Sequence, residues 1–188
     1  MRNALIVSNP GQGLDNLVNM IAEAGCQVDT APSCGHARRM MIDNDYDLCV
    51  INAPLSDESG IELSRFVMES GAGQAVLIIR SELYDEVSEK VEDAGVFTLS
   101  KPINRALLWN VLKLCQASVN RMRRMRAENE QLQKKIEDIR IVDRAKCVLI
   151  EYLKLSEEQA HKYIERHAMD MRISRRAVAE NVLKTYEY

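Results

Sequence analysis

The chain has 188 residues, 46% of them hydrophobic and 28% charged, which is enough for one ordinary core and a smaller second one. Its formal net charge of −3 is divided unevenly. Residues 1–112 carry 8 basic against 16 acidic side chains, residues 113–138 carry 7 against 4, and residues 139–188 carry 10 against 8. A polyanionic partner is therefore excluded at the front and admitted only at the rear. Cys26, Cys34, Cys49, Cys115 and Cys147 form no CxxC pair and have no metal-ligand spacing with the three histidines, so neither a redox pair nor a metal site is expected. Cys49 and Cys147 stand among apolar residues and are expected in or near a core. No run approaches the ~18 apolar residues of a membrane span, and the opening apolar run is too short for a signal peptide. A cytoplasmic protein is expected, without membrane contact.

In chain order, residues 4–8 read as a buried strand followed by a turn at Asn9-Pro10-Gly11. A helix is predicted over 14–24, closed by Gly25, then a strand over 27–30, a helix over 36–44 and a strand over 47–52. A helix over 60–70 ends at Gly71, an unbroken apolar strand covers 75–79, and a helix over 84–94 ends at Gly95. A last strand over 96–99 precedes a helix that opens at Asn104. Five βα units with continuously apolar strands predict a parallel, doubly wound α/β sheet covered on both faces.

Three features of this half carry a resemblance: the run Asp47-Leu48-Cys49-Val50-Ile51-Asn52, Gly60 eight residues later, and Lys101-Pro102 after the fifth strand. They resemble the response-regulator receiver domain, a flavodoxin-like fold. The resemblance implies a phosphoacceptor aspartate at the end of the third strand, two acidic Mg²⁺ ligands after the first, and a Ser/Thr after the fourth. This chain has Asn52 at the acceptor position, Ser8 and Asn9 at the acidic pair, Arg80 or Ser81 at the Ser/Thr position, and the family's lysine at Lys101. An amide is neither a phosphoryl-transfer nucleophile nor an anionic ligand for a hard cation. Residues 1–115 are thus expected to form a pseudo-receiver without a phosphate switch, with Lys101 hydrogen-bonded to Asn52 or nearby carbonyls. Asp57, five residues beyond Asn52, is discounted as a substitute acceptor.

From Leu108 a heptad runs without interruption, with Leu108, Cys115, Met122, Asn129 and Ile136 at a and Val111, Ser118, Met125, Leu132 and Ile139 at d. Charged flanks such as Arg124, Glu128 and Lys135 and a single a-position Asn predict a parallel, two-stranded coiled coil over 116–138. Its seam would be Met122, Met125, Asn129, Leu132, Ile136 and Ile139. One long helix docked on its own receiver is the alternative. Arg121, Arg123, Arg124 and Arg126 read as the solvated face of the coil.

At the rear, helices are predicted over 139–153, 157–168 and 175–184. Ser156 with Gln159 forms a capping box before the second, and Ser174 caps the third. Their core is expected from Val148, Leu149, Leu153, Leu155, Ala160, Tyr163, Ile164, Met169, Val178, Val182 and Leu183, with Ala145, Ala160 and Ala168 at close helix contacts. Ala145-Lys146, Ser156-x-x-x-Ala160 and Ala168-Met169-x-x-Arg172 stand in the order and spacing of the ANTAR domain, which this segment resembles. ANTAR is a three-helix RNA-binding unit of bacterial transcription antiterminators of the AmiR and NasR type. The resemblance covers residues 139–188 and implies binding of short hairpins in nascent mRNA leaders. Lys146 and Arg172, both expected exposed, match the motif positions. Arg144, Arg166, His167, Arg175 and Arg176 supply further donors, Arg175 and Arg176 at a helix N-terminus that favours phosphate. The chain departs from the family at Cys147, His161 and Glu165, where Gly, an aromatic and Arg are common. Asp170 is read as a cap or a partner of Arg172, not as a catalytic group, and no enzyme or cofactor is expected.

The whole reads as an antitermination regulator controlled independently of aspartyl phosphorylation, by a regulatory protein or ligand acting on the pseudo-receiver or by homodimerisation. Two alternatives stay open. One is a protein-interaction adaptor without RNA binding, and the other is a DNA-binding regulator, against which the last helices lack a clear helix-turn-helix pattern.

Overall fold

The computed structural model describes residues 1–71 and 73–186, which divide into two compact units, Met1–Arg123 and Arg124–Tyr188. In the first, β1 (Asn3–Ser8), β2 (Gln27–Ala31), β3 (Leu48–Asn52), β4 (Gln74–Arg80) and β5 (Phe97–Lys101) form one parallel sheet in the order β2-β1-β3-β4-β5. Crossovers are α1 (Gln12–Glu23), α2 (Cys34–Asp43), α3 (Ile61–Ser70) and α4 (Tyr84–Val91), and α5 (Arg105–Leu153) follows β5. This is the doubly wound arrangement that the apolar strands predict. Alternate residues along each strand feed opposite layers. Leu5, Val7, Ile51 and Leu77 pack under α2, α3 and α4 with Ala37, Leu63, Val67 and Val91. Ala4, Ile6, Val50 and Ile78 pack under α1 and α5 with Leu17, Ile21, Leu108 and Leu112.

Several boundaries differ from the sequence reading for physical reasons. Helix α2 begins two residues early, at Cys34, because Ser33 accepts the His36 amide and the Asp57 carboxylate accepts the Cys34 and Gly35 amides at 3.1 and 2.9 Å. Helix α4 stops at Val91 rather than 94. The chain then turns tightly, with the Gly95 amide on the Glu92 carbonyl and the Val96 amide on the Val91 carbonyl. Gly60 opens α3 at φ 89, and a Cβ there would come within 2.7 Å of the Ile51 side chain, so glycine is required on both counts.

The heptad is used in two ways. Leu108, Val111 and Cys115 do not enter a seam, because they are buried against the sheet. Ser118 donates to the Gln74 side chain at 3.1 Å. This stretch is therefore the docked helix of the alternative reading. From Met122 onward the a and d side chains have no such cover: Met125 is 59% exposed, Leu132 58%, Ile136 51% and Ile139 60%.

In the second unit the end of α5 packs with α6 (Glu157–Met171) and α7 (Arg175–Tyr186) around Ala145, Val148, Leu149, Ala160, Ile164, Ala168, Val178, Ala179 and Val182. Leu155, Tyr163 and Leu183 are partly buried beside this core. Both caps form as expected: Ser156 Oγ accepts the Gln159 amide while Gln159 Oε1 accepts the Ser156 amide, and Ser174 Oγ accepts the Ala177 amide. Three expected core positions are not core. Met169 is exposed because the inward face of α6 is the i, i+4, i+8 row Ala160, Ile164, Ala168, and one residue on turns the side chain about 100° away. Leu153, the last residue of α5, is likewise exposed, and Cys147 lies exposed two residues past Ala145, on the opposite side of the helix. Ala145 and Ala160 are fully buried in these contacts. Ala160→Leu is expected to lower the stability of this unit by about 1–3 kcal/mol through overpacking, read as a reduced urea midpoint.

Candidate nucleic-acid interface

At the C-terminal end of the sheet, β1 and β3 bring Ser8 and Asn52 into register. Asn52 Nδ2 donates to Ser8 Oγ at 3.0 Å, Ser8 Oγ donates to the Asn9 carbonyl at 3.0 Å, and Asn9 Nδ2 donates to the Pro54 carbonyl at 3.0 Å. Asn52 Oδ1 is buried without a partner. Lys101 reaches the Ala53 carbonyl, one of the two options expected, and Ser81 donates to the Lys101 carbonyl. Burial, and secondarily Arg80, pulls the Lys101 amine below its usual range. Of the two residues aligned after β4, Ser81 is therefore the one tied to Lys101, while Arg80 is exposed beside it.

The receiver fold implies Mg²⁺ at this place, and the donor set does not fit it. Ser8, Asn9 and Asn52 are neutral and offer no carboxylate, whereas Mg²⁺ is held by carboxylates and water. Among the described residues no group of His, Cys, Asp or Glu side chains is arranged for a metal ion. Asp57, the nearby carboxylate, is engaged in capping α2, and those backbone amides hold its carboxyl below the ordinary value. Incubation with acetyl phosphate and Mg²⁺ is expected to leave the mass of the intact chain unchanged; an adduct of about 80 Da on a front-unit aspartate would overturn the expectation.

The second unit contains a cleft of about 500 Å³ lined by Lys135, Ile139, Val142, Lys146, His161 and Arg175, among others. The structure thus brings together Lys146, Arg175 and Arg176, and adds Lys135 and His161. From the sequence, Lys135 is expected on the flank of the coil, and His161 is a departure from the family pattern. Their i, i+4, i+7, i+11 spacing on α5 (Lys135, Ile139, Val142, Lys146) was the available signal. Ile139, expected in the seam, lines this cleft.

The cations of the cleft are largely held by the chain's own carboxylates. Lys146 is not exposed as expected: its side chain is 16% exposed, 2.8 Å from Asp143 and 3.5 Å from Glu157. The Asp143 hydrogen bond is the main reason its amine titrates above the usual range. Arg176 bonds Asp138 and Glu180, each at 2.8 Å, with Glu137 at 3.6 Å, and is raised by the first two. Arg175 meets Glu165 at 3.1 Å, and His161 lies 3.3 Å from the same Glu165. Arg166 pairs loosely with Asp170 at 3.8 Å, so Asp170 serves Arg166 rather than Arg172. Arg144 is exposed on α5.

Arg172 is different. It ends α6 in the left-handed conformation, φ 54, its amide capping the Ala168 and Met169 carbonyls. Its side chain is exposed and, among the described residues, has no ion-pair partner. A non-glycine residue in that conformation costs on the order of 1 kcal/mol. Lys154 ends α5 in the same way, at φ 56.

A parallel sheet in this order with helices on both faces is the receiver fold, here followed by a long helix and a small helical unit. Residues 130–183 match the ANTAR domain family. Two sequences named transcriptional regulatory protein PdtaR, from Mycobacterium tuberculosis strains CDC 1551/Oshkosh and ATCC 25618/H37Rv, are each 25% identical over 186 residues, 98% of this chain and 90% of theirs. A two-component response regulator from Clostridium difficile superposes with a TM-score of 0.56 at 23% identity, over 64% of this chain and 99% of its own. The signal receiver domain of an HD domain-containing protein from Pseudomonas fluorescens Pf-5 superposes with a TM-score of 0.59 at 16% identity, over 65% and 92%. These structures share the fold of the front unit. The chain thus joins, through one long helix, a unit with the receiver fold to a segment that matches the ANTAR domain family.

Proposed function

We propose that this protein is a cytoplasmic RNA-binding transcription antitermination regulator whose ANTAR unit binds hairpins in nascent mRNA leaders. The match over residues 130–183 supports a regulator of antiterminator type, as does the likeness to a protein named as a transcriptional regulator. The observation that carries RNA contact is Arg172, an exposed cation at the family motif position, with no ion-pair partner among the described residues and held in the left-handed conformation at the end of α6. The left-handed cap holds the side chain at the end of α6, clear of the core. The neutral pocket around Asn52 supports control that is independent of aspartyl phosphorylation, exerted by a protein or ligand on the pseudo-receiver.

Arg172→Gly separates function from folding. It is expected to leave stability unchanged or raise it by up to about 1 kcal/mol, because glycine adopts φ 54 freely. The same change should weaken hairpin binding by about 1–3 kcal/mol and flatten its dependence on salt. Equal affinity in parent and variant, with no preference of the parent for hairpin over duplex, would instead support the adaptor reading. That second reading has its own observation: Lys146 and Arg176, the less exposed cations, are paired with carboxylates of the chain itself.

The exposed row Met125, Leu132, Ile136 and Ile139, with Met122 and Asn129 in register, supports a parallel homodimer that buries these side chains against a second copy. Two ANTAR units on one dimer suit paired hairpins through effective concentration. The full chain is expected to sediment as a dimer at micromolar concentration. Asn129→Leu should raise its melting temperature while loosening register, since it removes a buried amide pair. A monomer in sedimentation would end the coiled-coil reading.

A further inference from the structure

On the flank of α6 away from His161 lies a second groove, of about 550 Å³, lined by Leu155, Gln159, Lys162, Tyr163, Arg166 and His167, with Asp170 at its end. Two planar rings stand in it as a stack. Tyr163 and His167 have ring centroids 4.0 Å apart and planes 28° apart. Tyr163 is fixed from below, partly buried against the core of the unit. His167 is fixed by its Nδ1, 2.8 Å from the Tyr163 carbonyl. A carbonyl only accepts, so Nδ1 carries the proton and Nε2 is left free to meet a ligand. The rings are thus held in place before any ligand arrives, at nearly the spacing of stacked bases.

The charged rim suits a nucleic-acid backbone. The side chains of Lys162 and Arg166 are 70% and 83% exposed, paired only with the equally exposed Glu158 and Asp170, Arg166 at a loose 3.8 Å. Such surface pairs are weak, and a phosphate oxygen can take the place of either carboxylate. Aromatic faces beside Lys and Arg are how proteins hold splayed, single-stranded bases. We propose that this groove is a stacking site for one unstacked base of an RNA loop, which continues the Tyr163–His167 stack while its flanking phosphate meets Arg166 and Lys162. The proposal rests on the RNA-binding reading and adds a contact face separate from the cleft that holds Lys146 and Arg175. It also assigns a role to His167 beyond that of one donor among several.

The test uses the full chain and hairpin RNAs in which each loop base in turn is replaced by 2-aminopurine, whose fluorescence is quenched by stacking. At one loop position the parent is expected to quench the probe. His167→Leu, which keeps bulk but removes the ring, should abolish that quenching and weaken binding about tenfold. His167→Phe, which restores a ring, should recover both, with melting temperatures of the two variants matched. Hairpin binding by the parent with no quenched position, or with His167→Leu as good as His167→Phe, overturns the stacking site and leaves the RNA reading standing. A parent that binds no hairpin overturns both.

Discussion

Leu108, Leu112 and Cys115 in the first turns of α5 close one face of the sheet, and Ala145, Val148 and Leu149 in its last turns help build the core of the ANTAR unit. Both cores draw on one unbroken backbone, and from Ile103 to Tyr188 the chain has no glycine or proline that could interrupt it. The helix therefore serves two cores at its two ends: Leu108, Val111, Leu112 and Cys115 against the sheet, and Ala145, Val148 and Leu149 against α6 and α7. Between them lies a stretch with no core of its own, and there the apolar residues thin out to a heptad row that remains exposed in a single chain. The same apolar repeat thus does unlike work along its length. Its first members are buried within the chain, and its later ones are exposed.

The front unit keeps the receiver fold while its pocket has changed chemistry. Where three carboxylates would repel one another without a cation, this chain has amides and a hydroxyl that hydrogen-bond directly: Asn52 to Ser8, Ser8 to Asn9, Asn9 to Pro54. Lys101 turns to the Ala53 carbonyl, and Ser81 ties the end of β5 to the loop after β4. The loops at this end of the sheet are thus pinned by hydrogen bonds within the chain. Asp57 is drawn into the same economy, since its carboxylate terminates α2. Burial raises the thiols of Cys34 to about 11 and Cys115 to about 12, which keeps both protonated and unreactive at neutral pH.

In the ANTAR unit, charge alone is a poor guide to which cations face a ligand. Arg176 lies between α5 and α7 with carboxylates from both helices on it, so it ties the two helices together. Lys146, though at a motif position, is mostly covered and shared between Asp143 on its own helix and Glu157 at the start of α6. The less encumbered cations lie elsewhere. Arg172 stands at a helix end, and Arg166 is on the flank that also carries the Tyr163–His167 stack.

The sequence by itself determined the elements and their class. Short apolar, unalternating runs bounded by turn residues read as strands buried on both faces, and Ser156 with Gln159 and Ser174 fix where α6 and α7 begin, since these are contacts within three residues of chain. The substitutions at Ser8, Asn9 and Asn52 were legible too, because an amide lacks carboxylate chemistry in any fold. Only the tertiary structure decided the rest. The start of α2 depends on Asp57, more than twenty residues away. Which heptad positions face a sheet, which alanine row faces inward and so leaves Met169 and Cys147 outside, and which basic residues are already paired all depend on neighbours from other elements. Helical periodicity says which side chains share a face, but not what lies opposite that face.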